Sequence, residues 1–201
     1  MGQEVPVSNA NKVIEIQGDK YTILPKRHYE LMALTAVGGL PVAEYQFLFQ
    51  APAGNLIWMS SFRGGNLVPR AAKLRIKKVY MSLIANNNLV PADYISLYEA
   101  AGTLTITTDQ DQKILECQTD ALSPEFNRIN NVAWVPNLAF MAPGGYQLAD
   151  PMDGTTGAWI GGQQNLSVVY NRHIAIAGFT AACHLGIFLD CELAVPVVKV
   201  A

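Results

Sequence analysis

The stretch AACHLGIFLDCELAV, residues 181–195, decides the fold. Its odd-numbered positions are all apolar, while the even-numbered positions include His184, Asp190 and Glu192. A period of two indicates a strand with one face in a core and the other face outside. Strands usually run about 3–10 residues, so a strand of this length favours a large β-sandwich or barrel. A scaffold of that kind serves binding or assembly more often than catalysis.

The composition fits a surface that is polar but weakly charged, or one that partners cover. Of the 201 residues, 50% are hydrophobic and 15% are charged, whereas about a quarter is usual for charged residues. The net charge is −2. This balance argues against a nucleic-acid-binding protein that works through a general basic field.

The chain is expected to form one domain. All-β domains often reach this size as a single unit, and no linker-like segment divides the sequence. We predict an N-terminal arm over residues 1–12 and a single β-sandwich domain over residues 13–201, with a long loop excursion at about 131–164. Loops of that length are uncommon and are usually functional.

Alternating segments along the chain predict about eight to ten strands. The second most regular of them covers residues 73–85, where apolar side chains occupy even positions at first and odd positions later. The change falls between Lys77 and Lys78. A β-bulge at that point would restore one continuous apolar face, because a bulge inserts one extra residue into a strand.

One or two short helices are expected in the connections. The best helix candidate is HYELMALTAV, residues 28–37, which is followed by two glycines. A second short helix is expected from Ser123 to Asn130, because serine followed by proline is a helix-start signal. Residues 91–101 suit either a helix or a hairpin.

The three cysteines are predicted to be buried free thiols. Cys183 and Cys191 lie on the same face of the final strand, eight residues and so roughly 26 Å apart, which is too far for a disulfide. Cys117 lies beside Leu115 in another apolar segment. Free thiols fit assembly in a reducing compartment.

The sequence predicts no catalytic, metal-binding or cofactor-binding residue. It contains no phosphate-binding glycine loop and no nucleophile elbow. The three histidines, His28, His173 and His184, have no partner at metal-ligand spacing. Cys183 and Cys191 are expected inside the core, where a thiol is inert.

The final strand carries two carboxylates on its outer face. Asp190 and Glu192 share the outer face at roughly 7 Å, a separation known for carboxylate pairs in sugar hydrolysis. Arg75 and Lys77 on another strand are available to neutralise them. We therefore favour solvated or ion-paired carboxylates over a catalytic pair.

A basic segment and several aromatic residues form the candidate interaction surface. The basic residues between positions 70 and 78 lie on a predicted strand, so several can share one face, either as a solvated surface or as a strip that meets an anionic partner. Aromatic residues in the loops fit a protein interface, a sugar platform or packing of the loop ends. The predicted interface or binding residues are Arg75, Lys77, Lys78, Trp134, Tyr146, Trp159, Asp190 and Glu192.

Three segments carry a resemblance to a known family: LRIKKVYMSLIANN (74–87), GTLTITTDQ (102–110) and TAACHLGIFLDCELAVPVVKV (180–200). As a loop-rich all-β chain with a long final strand, the whole sequence resembles the small single-jelly-roll major capsid proteins of tailless phages and archaeal viruses that hold an internal membrane. The resemblance implies an all-β jelly roll of about eight strands and no cofactor. It also implies subunits that pack side by side into an icosahedral shell.

The partners that the resemblance implies are further copies of the chain, other capsid proteins and membrane lipid beneath the shell. The chain has no polybasic arm for genome packing, so direct nucleic-acid binding is not expected. The implied location is the virion, after assembly in the host cytoplasm. The alternative functions are a phage spike, receptor-binding or carbohydrate-binding β-sandwich and, less favoured, an enzyme that uses Asp190 and Glu192.

Overall fold

The described residues form eleven β-strands in the computed structural model. The structure describes residues 12–35, 39–47, 60–61, 68–84, 89, 92–93, 96–97, 102–108, 113–122, 126–129, 133–136, 146–147, 159–162 and 164–197. The strands are β1 (Val13–Ile16), β2 (Asp19–Leu34), β3 (Glu44–Phe47), β4 (Lys73–Ile84), β5 (Gly102–Thr108), β6 (Lys113–Gln118), β7 (Phe126–Ile129), β8 (Ala133–Pro136), β9 (Tyr146–Gln147), β10 (Leu166–Arg172) and β11 (Cys183–Pro196). A 3₁₀ turn, Thr119–Leu122, follows β6.

The strands build two antiparallel sheets with the order of a jelly roll. Sheet I has the order β1-β2-β11-β4-β9, and sheet II has the order β3-β10-β5-β6. A separate hairpin, β7-β8, lies between β6 and β9 in the sequence. When β1 and this hairpin are set aside, eight strands remain. Sheet I then takes the first, eighth, third and sixth of them, and sheet II takes the second, seventh, fourth and fifth. Two Greek keys wound together give this order, which confirms the prediction of an all-β jelly roll.

One hydrophobic cluster fills the space between the two sheets. The inward residues of β11 are Cys183, Leu185, Ile187, Leu189 and Cys191, and all are buried. They pack in the same cluster as inward residues of both sheets: Leu74, Ile76, Val79, Met81 and Leu83 of β4, Leu104 and Ile106 of β5, and Leu166, Val168 and Tyr170 of β10. The odd-numbered alternation along residues 183–191 is therefore confirmed as the core face of the last strand.

The β-bulge predicted in β4 is confirmed at Lys77. Lys78 lies opposite Asp190, whereas Ile76 lies opposite Cys191, so the register shifts by one residue between them. Without the extra residue, Arg75 would fall opposite Leu193 and point into the core, because side chains alternate along a strand. With it, Arg75 lies opposite Glu192 on the outer face. The bulge thus decides which charged residues of β4 reach the surface.

Two helix predictions are wrong, and the described residues favour the helix in a third segment. Residues 28–34 belong to β2, which pairs with β11 from Tyr21 to Leu34. Residues 126–129, expected to be helical, form β7 and pair with β8. In contrast, the described residues at 92–93 and 96–97 have helical backbone conformation, which favours the helix over the hairpin for that segment.

A buried arginine of sheet II is hydrogen-bonded to residues 96–97. Arg172, at the end of β10, is 1% exposed. Its guanidinium donates hydrogen bonds to the Tyr170 hydroxyl at 2.6 Å and to the carbonyl oxygens of Ile174 at 2.6 Å and Leu97 at 3.3 Å. Arg172 thus connects the end of β10 to residue 97 through buried hydrogen bonds.

The three thiols are buried and free, as predicted. Burial raises the pKa of the Cys183 thiol to about 11, and the nearby Asp93 carboxylate acts in the same direction. Burial also raises the pKa of the Cys191 thiol. Since the thiolate is the reactive form, neither group is placed to act as a nucleophile at neutral pH.

His28 is a buried histidine that connects β2 to residues 60–61. The backbone N–H of Tyr29 donates to Ser61 Oγ at 2.9 Å, and Ser61 Oγ lies 3.4 Å from His28 Nδ1. The Ser61 backbone N–H in turn donates to the Tyr29 carbonyl at 2.9 Å. Burial, reinforced by the positive charge of Lys26, lowers the pKa of His28 to about 4.

The neutral form of His28 is expected to stabilise the fold. Its pKa is about 4 in the folded chain and about 6.5 in an unfolded one, so its stabilisation is complete above pH 6.5 and is lost as the pH falls towards 4. The free energy of unfolding should drop by about 2 kcal/mol between pH 7 and pH 5 from this group alone. Urea unfolding of the wild type and of His28→Gln at both pH values measures the drop. An equal drop in the variant would contradict the assignment.

Candidate functional site

The outer face of sheet I gathers most of the residues that the sequence singles out. The pairing of β11 with β2 and β4 places Arg27, Asp190 and Lys78 side by side on three neighbouring strands. The same register places Tyr29, Phe188 and Tyr80 in the next outward row. The surface formed by the outward side chains of β2, β11 and β4 is called face I below. Its outward residues on these strands include Arg27, Tyr29, Lys73, Arg75, Lys77, Lys78, Tyr80, Ser82, Phe188, Asp190 and Glu192.

The two carboxylates of β11 on face I are in ion pairs. Asp190 accepts hydrogen bonds from Arg27 Nε at 2.5 Å and from Arg27 Nη2 at 3.1 Å. Glu192 Oε2 accepts from Arg75 Nη2 at 2.6 Å, and Lys77 Nζ lies 3.3 Å from Glu192 Oε1. The expectation that Arg75 and Lys77 neutralise a carboxylate of β11 therefore holds for Glu192, while Asp190 pairs with Arg27.

The two ion pairs differ in their exposure to solvent. The side chains of Arg27 and Asp190 are 60% and 31% exposed, whereas those of Arg75 and Glu192 are 10% and 19% exposed. Burial alone would raise the pKa of the Glu192 carboxyl, but the hydrogen bonds and charges of Arg75 and Lys77 outweigh it and lower the pKa. A general acid in sugar hydrolysis needs the opposite shift. The electrostatics of Glu192 thus disfavour that chemistry.

An aromatic group lies beside the ion pairs. The rings of Tyr80 and Phe188 are stacked with centroids 4.9 Å apart and an interplanar angle of 4°. Tyr29 lies 6.1 Å from Phe188 on the other side, and the Arg27 guanidinium lies over Tyr80 at 5.5 Å. A sugar platform needs a ring face that is open to the ligand. These rings face each other and Arg27, so they form a packed band across three strands.

Glycine at position 186 makes room for this aromatic band. A Cβ atom built on Gly186 would lie 2.7 Å from the Phe188 ring and 2.8 Å from the Leu31 side chain. Gly186 lies between Leu31 and Ser82 of the paired strands. Because glycine has no side chain, the Phe188 ring can pack over position 186. A larger residue there would displace the Phe188 ring or the Leu31 side chain.

Trp159 covers the more buried ion pair. The Arg75 guanidinium lies 4.8 Å from the centroid of the Trp159 ring. Residue 160 forms a backbone bridge with Leu74, through hydrogen bonds of 2.7 Å and 3.0 Å, which holds this segment along the start of β4. One face of the indole is thus occupied by a cation, in the arrangement that a cation–π interaction favours.

Six of the eight predicted interaction residues come together on face I: Arg75, Lys77, Lys78, Trp159, Asp190 and Glu192. The backbone of Tyr146 lies in β9 beside Val79, and that of Trp134 lies in β8 beside Arg128. The side chains of Trp134 and Tyr146 fall outside the described residues. Whether these residues form an interface remains a prediction.

Sequence reasoning missed several members of face I, among them Arg27, Tyr29 and Phe188. Tyr29 lies in the segment 28–37, whose composition favours a helix, and Arg27 lies directly before that segment. Phe188 was visible as a large apolar residue among the even-numbered, outward positions of the last strand. An exposed aromatic at such a position is the signal that could have located this surface.

Within the described part of the chain, no group of three or more His, Cys, Asp or Glu side chains is placed to hold a metal ion. No helix in that part is long and apolar enough to cross a membrane.

The chain was compared with known proteins. No protein-family model matches it, and no curated protein matches it. A solved structure titled Desmodium yellow mottle tymovirus is similar at 10% sequence identity, with 96% of this chain and 99% of that chain covered and a TM-score of 0.26. The assignment of a jelly roll therefore rests on the strand order of the two sheets and not on this similarity.

The two ion pairs of face I should differ in their contribution to stability. Glu192→Gln leaves the largely buried Arg75 without its anion and should lower the free energy of unfolding by about 1–2 kcal/mol. Asp190→Asn removes the partner of an exposed arginine and should cost less than about 1 kcal/mol. Urea unfolding of both variants at neutral pH and low salt measures the difference. A larger loss for Asp190→Asn would contradict the role assigned to burial.

Proposed function

We propose that the chain is a structural virion protein, a capsid subunit that self-assembles side by side into an icosahedral shell. The observation that carries the proposal is the jelly-roll strand order of the two sheets. Viral capsid proteins, lectin domains and cupins use this fold. Because a fold alone does not define a function, the choice among them depends on the surfaces.

The surface chemistry supports assembly more than the other uses of the fold. On face I, Tyr80 and Phe188 stack on each other, so each of these rings has one face covered, which disfavours a sugar platform. The ion pairs of Asp190 and Glu192 disfavour a pair of acid–base carboxylates. The chain has 15% charged residues, and interfaces between subunits are depleted in charge at their centres.

The organisation and partners belong to the same proposal. Residues 13–201 form a single domain, and residues 1–12 form an arm that reaches towards neighbouring subunits or the membrane beneath. The partners are further copies of the chain, other capsid proteins and membrane lipid, without direct contact to nucleic acid. The subunits assemble in the host cytoplasm and remain in the virion.

The proposal predicts concentration-dependent self-association. Size-exclusion chromatography with light scattering over a series of concentrations should give particle masses well above the 21.8 kDa of one chain. Electron microscopy of the same fractions should show regular particles. A monodisperse species of 21.8 kDa at every concentration would contradict the proposal. Glycan binding by that monomer would instead favour the spike or carbohydrate-binding function.

A further inference from the structure

Face I carries an excess of positive charge. Its outward residues include five of the 14 lysines and arginines of the chain but only three of the 16 aspartates and glutamates, which are Asp19, Asp190 and Glu192. The basic members are Arg27, Lys73, Arg75, Lys77 and Lys78. Most acidic residues therefore lie elsewhere in the sequence. Two copies that met through the same face I would place like charges against each other, which disfavours a two-fold symmetric contact there.

The opposite side of the sandwich has a different chemistry. The outward residues of the central strands β5 and β10 are uncharged and half-buried: Thr103, Thr105, Thr107, Ser167, Val169 and Asn171. Acidic residues stand on the two flanking strands, Glu44 on β3 and Glu116 on β6, and both are exposed. Lys113 forms an ion pair with Glu116. The surface formed by these outward side chains of sheet II is called face II.

Face II has the anatomy of a protein–protein interface. Interfaces typically combine an uncharged centre with a polar or charged rim. Here the centre carries threonine, serine, valine and asparagine side chains, and the rim carries Glu44 and Glu116 on strands at opposite edges of sheet II, with Lys113 beside Glu116. Across the sheet the two edge strands are about 14 Å apart. On face I, Arg27 and Lys78 lie on strands about 10 Å apart, within reach of long side chains.

We propose that face I of one copy of the chain docks on face II of the next copy. This inference rests on the proposed self-assembly and specifies its geometry. The contact is heterologous, because two different surfaces meet, so each subunit keeps one free face I and one free face II for further neighbours. Repetition of such a contact places sandwiches side by side and closes into a ring when the rotation permits.

A second copy explains face I better than a phosphate-bearing surface does. Asp190 and Glu192 lie in the middle of the face and already pair with Arg27, Arg75 and Lys77. Arg75 is 10% exposed and lies against Trp159. A lipid or nucleic-acid phosphate would thus meet two carboxylates among cations that are partly occupied. Face II is mostly uncharged, and its glutamates lie on the edge strands, away from these two central carboxylates.

Two single substitutions that block one face each test the contact. Ser82→Arg places a bulky cation on face I, and Thr105→Arg places one at the centre of face II; both wild-type side chains are half-buried and point outward. Each variant alone should need a roughly tenfold or higher concentration to assemble than the wild type does. Mixed in equal amounts, they should form a species of two chains and nothing larger, because one intact face I then meets one intact face II.

The control is Ile174→Arg, which adds the same side chain at an exposed position outside both faces. It should assemble like the wild type, and circular dichroism should show that all three variants are folded. Wild-type assembly by both blocked variants, or by Thr105→Arg alone, would overturn the heterologous contact and leave self-assembly intact. A monomeric wild type would overturn the proposed function as well.

Charge reversal provides a second and independent measurement. The double variants Arg27→Glu/Lys78→Glu and Glu44→Lys/Glu116→Lys should each lose assembly, and their mixture should recover it, because the charges of both faces are exchanged. No recovery in the mixture of folded variants would contradict charge complementarity. Binding of the wild type to anionic phosphatidylserine vesicles that the first double variant abolishes, with self-association unchanged, would assign face I to lipid instead.

Discussion

The double pairing of strand β11 is the constraint on which the rest of the structure depends. β11 is hydrogen-bonded to β2 over residues 183–196 and to β4 over residues 184–194. It therefore has no free edge, and its inward side chains, such as Ile187 and Leu189, are fully buried against the strands of sheet II. Because the last strand of the chain inserts between the first and third strands of the jelly roll, sheet I can be completed only when both ends of the chain have come together.

The same strand determines the chemistry of the surface, because its side chains alternate between the two sides of sheet I. Asp190 and Glu192 recruit Arg27 from one neighbour and Arg75 from the other. The second pair exists because the bulge at Lys77 turns Arg75 outward. One extra residue in β4 thus converts a position that would face the core into part of an ion-paired, aromatic surface. The inward side of β11 thus stabilises the fold, and its outward side takes part in the proposed contact between subunits.

The sequence predicted what depends on local alternation and missed what depends on distant pairing. The last strand, the bulge and the buried thiols follow from a period of two and its interruption, so they could be read directly. Residues 28–34 could not be, since their good helix formers favour a helix locally and only the hydrogen bonds to β11 make them a strand. The ion pair of Glu192 could be predicted because Arg75 and Lys77 lie in a regular strand. The ion pair of Asp190 could not, because Arg27 lies next to the segment that was assigned to a helix. The order of the strands in the two sheets could not be predicted from the alternation either, because the contacts of a jelly roll join residues far apart in the chain.

Native-state amide hydrogen exchange along residues 183–196 tests the central position of β11 most directly. If β11 is held by both neighbours, its hydrogen-bonded amides should exchange only through global unfolding, with a free energy of opening equal to the free energy of unfolding. The amides of the edge strands β1 and β6 should exchange through smaller, local openings. Exchange of the β11 amides as fast as that of β1 and β6 would contradict the account.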